Sequence, residues 1–157
     1  MDDTRLRTEA IRVYQRYAIE VVEALGLCPW ARRARLDGRV RCEVELAAEP
    51  RLERLLPRLA ALANDPDTDI TLLIFPRLHA DPRQFRQFMS EIRDGHTADC
   101  GAQTNPLLMA DFHPDGEPDM ASPARLISFI RRTPDPTIQL VRRTALDGVK
   151  RSADEGT

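Results

Sequence analysis

The chain has 157 residues, 42% of them hydrophobic and 31% charged, with 5% aromatics and a formal net charge of −2. That length suits a single domain with its own core, while the balanced charge and sparse aromatics argue against nucleic-acid binding by phosphate attraction or base stacking. No stretch approaches the roughly 18 consecutive apolar residues of a membrane span, and the N-terminus lacks the apolar core of a signal peptide, so no membrane association and a cytoplasmic setting are expected.

The cysteines, at positions 28, 42 and 100, are three in number and irregularly spaced. They form no C-x-x-C and no disulfide framework, which fits a reducing compartment. Cationic charge is almost wholly arginine, with Lys150 the only lysine. Residues 1–151 read as one domain and 152–157 as a disordered tail.

Along 4–25, Ile11, Tyr14, Ala18, Val21, Val22 and Leu25 recur at three- and four-residue spacing, predicting a long amphipathic helix that Gly26 ends. Residues 28–36 suggest a short second helix, capped by Cys28 with Pro29 in the first helical position. Val40, Cys42, Val44 and Leu46 alternate with charged residues as a strand with one wet face. Leu52, Leu55, Leu56, Leu59 and Leu62 return to helical spacing. Residues 70–75 form a continuous apolar run, the mark of a central strand. Asp81-Pro82 opens a third long helix through Phe85, Phe88, Met89 and Ile92, followed by a polar loop over 95–105. Residues 107–112 read as a strand, 115–119 as a loop and 122–130 as a short helix; the prolines of 133–136 forbid helix, and 137–142 form the last strand. The order predicts an α/β (α+β) domain, a mixed sheet of about four strands with helices packed on it, preceded by a long N-terminal helix. Strand order stays open.

Cys28 lies in Gly26-Leu27-Cys28-Pro29-Trp30-Ala31, just before a basic run. A thiol at a helix N-terminus beside cations is favoured as thiolate; the competing reading is a small buried hydrophobe under Trp30. His113 stands where a strand runs into a loop, a position suited to a general base or a thiolate partner. Arg131 and Arg132 flank a proline-stiffened turn, with Arg142 one strand later, and their forks match carboxylate or phosphate geometry. Two metal patterns are weaker: Asp111, His113 and Asp115 resemble the opening of a calcium loop without its closing Glu, and His96 and Cys100 are a two-ligand pair in a loop. No metal site is assigned.

Three segments resemble a bacterial family known as domain of unknown function 1415. Gly26-Leu27-Cys28-Pro29-Trp30-Ala31 is similar to its G-L-x-L-C-P-F-A, Phe112-His113-Pro114-Asp115 to its F-H-P-D, and Arg132-Thr133-Pro134-Asp135-Pro136 to its R-S-P-x-P. They come in the family's order. Trp30 replaces a Phe, Thr133 a Ser, and Gln139 stands where the family tends to have a His. The resemblance supplies positions and no reaction: it groups Cys28, His113 and Arg132 as catalytic candidates, with Trp30, Arg131, Thr133, Gln139 and Arg142 as substrate-contacting ones.

The reading that joins these residues is a small enzyme with Cys28 as nucleophile or redox thiol, His113 as base and the arginines holding a small anionic molecule. It requires Cys28 and His113 to lie within a few ångströms of each other. The alternatives are a non-catalytic ligand- or partner-binding module and a metal-binding protein using His113. A homodimer through the N-terminal helix is compatible with each. Substrate, reaction and cofactor stay open, as does whether any catalysis occurs.

Overall fold

The computed structural model describes residues 1–101, 106–116, 121 and 131–147. The expected short helix at 122–130 and the tail at 152–157 lie outside the described residues. Helix α1 spans Asp3–Tyr17 and opens where the Asp2 carboxylate accepts from the Arg5 N–H at 2.9 Å, satisfying one of the unpaired amides of the first turn. It continues without a break into a π-helical segment, Ala18–Glu23. Gly26 then turns the chain at φ 63°, with Gly26 N–H donating to Glu23 O and Leu27 N–H to Val22 O. This is a Schellman closure, which calls for a residue with no Cβ penalty at positive φ. Gly38, at φ 67°, ends helix α2 (Ala31–Leu36) in the same way.

Strand β1 (Val40–Val44) is followed by α3 (Leu52–Ala63), β2 (Ile70–Ile74), α4 (Pro82–Cys100), β3 (Leu107–Phe112) and β4 (Thr137–Arg142). The sheet order is β1-β2-β4-β3. β1 and β2 are parallel, and β4 runs antiparallel to both of its neighbours, β2 and β3. β3 is therefore parallel to β2 across the intervening β4. The α3 and α4 crossovers step in the same direction across the sheet, and the two helices share one face, as crossovers of a single hand require.

Strand alternation divides the core in two. Leu73 and Phe75 of β2 and its exit, with Ile138 and Leu140 of β4, pack with Leu55, Leu59, Phe85, Met89 and Ile92 beneath α3 and α4. Ile70, Leu72 and Ile74, with Val44 and Val141, meet Ala10, Tyr14 and Ala34 of α1 and α2 on the opposite face. The result is three layers with the sheet in the middle. Leu6, Ala10, Ile11 and Tyr14 of α1 pack in the core on this face of the sheet.

Two departures from expectation have local causes. The charged side of β1 is not simply wet: Arg58 of α3 bonds Glu43 at 3.0 Å and Glu45 at 2.8 Å, closing over that edge. The loop expected from Gly95 onward is instead the last turns of α4. Gly95 packs there against α3, where an added Cβ would meet the Leu56 methyls at 3.1 Å. It is a close-approach glycine within a helix, and His96 beside it is buried at 2% exposure. α4 also carries a full capping box: Asp81 accepts from Gln84 N–H, and the Gln84 side chain accepts from Asp81 N–H.

Candidate functional site

Cys28 is not a helix cap. The first helical residue of α2 is Ala31, and Trp30 holds the cap position; Pro29 precedes it, and Cys28 contributes only its carbonyl, which accepts from Ala31 N–H at 3.3 Å. The thiol is buried and close enough to Tyr14 on the α1 face to act on its ionisation. His113 sits on the other face, its ring 6.0 Å from that of Phe85 of α4. Its Nε2 bonds Ala80 O at 2.7 Å, and its Nδ1 accepts from Asp115 N–H at 3.0 Å. Together these assign the neutral tautomer with the proton on Nε2. The imidazole fastens the entry of α4 to the exit of β3, with both ring nitrogens engaged by backbone groups. The ring nitrogens of His113, the expected base, are directed at Ala80 O and Asp115 N–H.

The other expected contacts divide in the same way. Arg132 donates from Nε to Gly116 O at 3.1 Å, and Thr133 Oγ1 donates to Asp135 O at 2.6 Å, bracing the proline turn. Arg142 bonds the carbonyls of Thr68 and Asp65, clamping the loop before β2. Trp30 packs into the α1-face core, with its indole Nε1 buried and unpartnered. Neither metal pattern assembles. Asp115 uses its backbone N–H on His113, and Cys100 Sγ bonds the backbone carbonyl of His96 in continuous helix. Among the described residues, no three His, Cys, Asp or Glu side chains gather as metal ligands.

Arg131 and Gln139 do come together. Arg131 is only 4% exposed, yet no carboxylate pairs with it among the described residues. Its Nη2 donates to Gln139 Oε1 at 2.7 Å and to the Tyr14 hydroxyl at 3.0 Å, and its Cζ lies 4.1 Å from the centre of the Phe112 ring. Its Nε is buried with no hydrogen-bond partner. The cation–π contact offsets only part of the several kcal/mol it costs to bury a guanidinium.

More donors converge on the same point. The Tyr14 oxygen accepts from Arg131, so its own proton is available to a further acceptor. Tyr17, whose ring stands 5.6 Å from that of Tyr14, has a buried and unpartnered hydroxyl in the field of the same guanidinium. Burial pushes Tyr17 up to about 12, and pushes Tyr14 up as well, with the Arg131 charge offsetting part of each rise. Both phenols are therefore proton donors throughout the neutral range. Arg131 Nε and the Tyr17 hydroxyl are thus buried without a hydrogen-bond partner, in a setting where a buried unsatisfied donor costs about 1–3 kcal/mol.

Arg131, Gln139 and Tyr14 line a cavity of about 350 Å³ between the α1 side and the sheet, together with apolar side chains of β1 and β2 and with Cys42. Ala18, Ile19, Val22 and Glu23 of the π segment line it too. A π turn carries an extra residue per turn and recurs at functional sites; here it forms one wall. At the solvent side, Arg35 grips Glu23 with two bonds of 2.8 and 2.9 Å. Burial pushes the Cys42 thiol up to about 11, so the cavity's thiol stays protonated at neutral pH.

Tyr14, Tyr17, Cys42, Glu23 and Phe112 are site residues that the sequence analysis does not single out. One signal for them exists: the chain's only two tyrosines stand three apart, on one side of a helix. No helix among the described residues is long and apolar enough to cross a membrane. No curated protein and no solved structure matches the chain. A family model described as protein of unknown function (DUF1415) matches residues 9–156; with its three signature segments on one mixed-sheet domain, the chain belongs to this family.

Proposed function

We propose that this domain binds a small organic anion in the α1-face cavity, with Arg131 as the charged anchor. The observation that carries this reading is an arginine only 4% exposed that lines the cavity, without a carboxylate partner among the described residues and with its Nε unpartnered. An oxyanion would accept from the Arg131 guanidinium and from the Tyr14 hydroxyl, while its body lay against Val22, Val40, Ile70 and Leu72. A few convergent polar groups in an apolar cleft are the usual form of a small-molecule site. A binding module is favoured over a cysteine enzyme because the thiol facing the cavity, that of Cys42, is held protonated, and because both ring nitrogens of His113 are engaged by backbone groups.

Calorimetric titration with small carboxylates and with inorganic phosphate tests the reading, on wild type and on Arg131→Met, which keeps the apolar stem and removes the charge. At least one anion binds the wild type, and Arg131→Met weakens it by about tenfold or more, the equivalent of a lost charged hydrogen bond. Absence of binding by every anion, or equal binding to the variant, overturns it.

A further inference from the structure

Resting on that reading, we infer that the ligand is a monoanion, a single carboxylate on an apolar body, and that the Glu23–Arg35 pair excludes a second negative charge. The charged side chains among the described lining residues, with Tyr14, set the polarity of the space. At the inner end stand Arg131, uncompensated, and Tyr14, bonded to it at 3.0 Å. At the outer end stand Glu23 and Arg35, already neutralising each other through two bonds. The Glu23 side chain is 8% exposed and that of Arg35 is 41% exposed, so the carboxylate faces inward and the guanidinium lies at the solvent side.

Among the described residues, one positive charge is thus available to a ligand, and one acidic side chain borders the rest of its path. A phosphate monoester or a dicarboxylate would bring two negative charges. The first would meet Arg131; the second would lie against apolar wall or against Glu23, whose only cation is already engaged. A buried charge without a partner is strongly disfavoured. Size narrows the class further, since about 350 Å³ is near the lower end of small-molecule sites. A carboxylate attached to an aromatic ring or a branched aliphatic group fits both limits. Arg131 Nη2 is taken by Tyr14 and Gln139, so the carboxylate is held by the rest of the guanidinium and the Tyr14 hydroxyl without a full guanidinium fork.

The test uses two compounds with the same body, phenylacetate and phenylmalonate, together with inorganic phosphate, titrated into wild type, Glu23→Gln and Arg35→Gln. On wild type, phenylacetate binds about tenfold or more tighter than phenylmalonate or phosphate, a difference set by one unpaired charge. Glu23→Gln removes the inward carboxylate and frees Arg35, so the phenylmalonate deficit shrinks to about threefold or less. Arg35→Gln leaves Glu23 unpaired and weakens phenylacetate as well. Equal binding of phenylacetate and phenylmalonate to wild type overturns the monoanion class while the Arg131 site stands. An unchanged deficit in a folded Glu23→Gln protein overturns the role of the pair. If neither compound nor phosphate binds any form, the anion site itself falls, and this inference with it.

Discussion

The two faces of the sheet are built to different specifications. Beneath α3 and α4, Leu55, Phe75, Phe85, Ile92 and Ile138 are all fully buried, and Phe75 meets the edges of both Phe85 and Phe88 with ring centres 5.8 Å apart. Beneath α1 and α2, comparable strands face a cavity, a buried arginine and hydroxyls without acceptors. One face maximises packing; the other gives up packing to hold polar groups in fixed positions. The trade is familiar at binding sites, where preorganisation lowers the stability of the empty fold. The sheet is what allows both, because alternation along β2 and β4 sends neighbouring residues to opposite sides.

The comparison can be broken most directly at the packed face. Phe85→Ala removes a fully buried ring from a close-packed cluster and lowers unfolding free energy by about 3–5 kcal/mol in denaturant titration. A loss no larger than that of an exposed substitution would mean that the two faces do not differ as described.

Next in size is alkaline pH, which acts on the cavity face. Burial raises Cys42 from 9.0 to about 11 and Tyr17 from 10.0 to about 12. In each case the unfolded chain gives up its proton first, so the native state binds more protons and stability falls as pH rises. The Cys42 contribution is intact below pH 9, declines between pH 9 and 11, and amounts to on the order of 2–3 kcal/mol; more exposed Tyr17 adds a smaller loss one pH unit higher. Denaturation at pH 8 and pH 11, with Cys42→Ala as control, measures it. The variant loses the decline that begins at pH 9.

His113→Ala then separates support from function. Removing both backbone bonds of the imbridged imidazole costs about 2 kcal/mol, while anion affinity is unchanged, because His113 lies on the packed face. A matching loss of affinity would place it in the site after all. The smallest effect has the opposite sign: Arg131→Met raises the stability of the ligand-free protein by about 1 kcal/mol, since a buried uncompensated charge gives way to an apolar side chain of similar length. Thermal melts without added anion check the direction.

Much of the architecture is legible in the residues because it rests on local signals. All four strands start where alternation or apolar runs place them, and Asp81-Pro82 announces α4 through a cap whose partner is three residues away. Gly95 misleads because its role is set by Leu56, almost forty residues earlier, and no local pattern distinguishes a helix-breaking glycine from one at a helix crossing. The π segment is equally silent, since Ala18, Val21, Val22 and Leu25 satisfy an ordinary helical stripe. The site is harder still. Arg131 and Gln139 are visible as polar residues near a strand, but their neighbour Tyr14 is 117 residues from Arg131. Cys28 and His113 look like a pair in a list of chemistry-bearing residues, but the backbone groups of Ala80 and Asp115 that engage the His113 ring are set by topology.

The order of strands also bears on how the chain is made. β4, the last strand in sequence, fills the gap between β2 and β3, so a chain growing from its N-terminus carries β3 with no sheet partner until residues 137–142 have been synthesised. Helices α3 and α4 and the parallel pair β1–β2 can form earlier, leaving β2 with an unpaired edge at which another chain could add. Arg131 arrives only just ahead of β4. Sheet closure and assembly of the anion site are therefore nearly the same late event, and a chain stopped before Thr137 has neither.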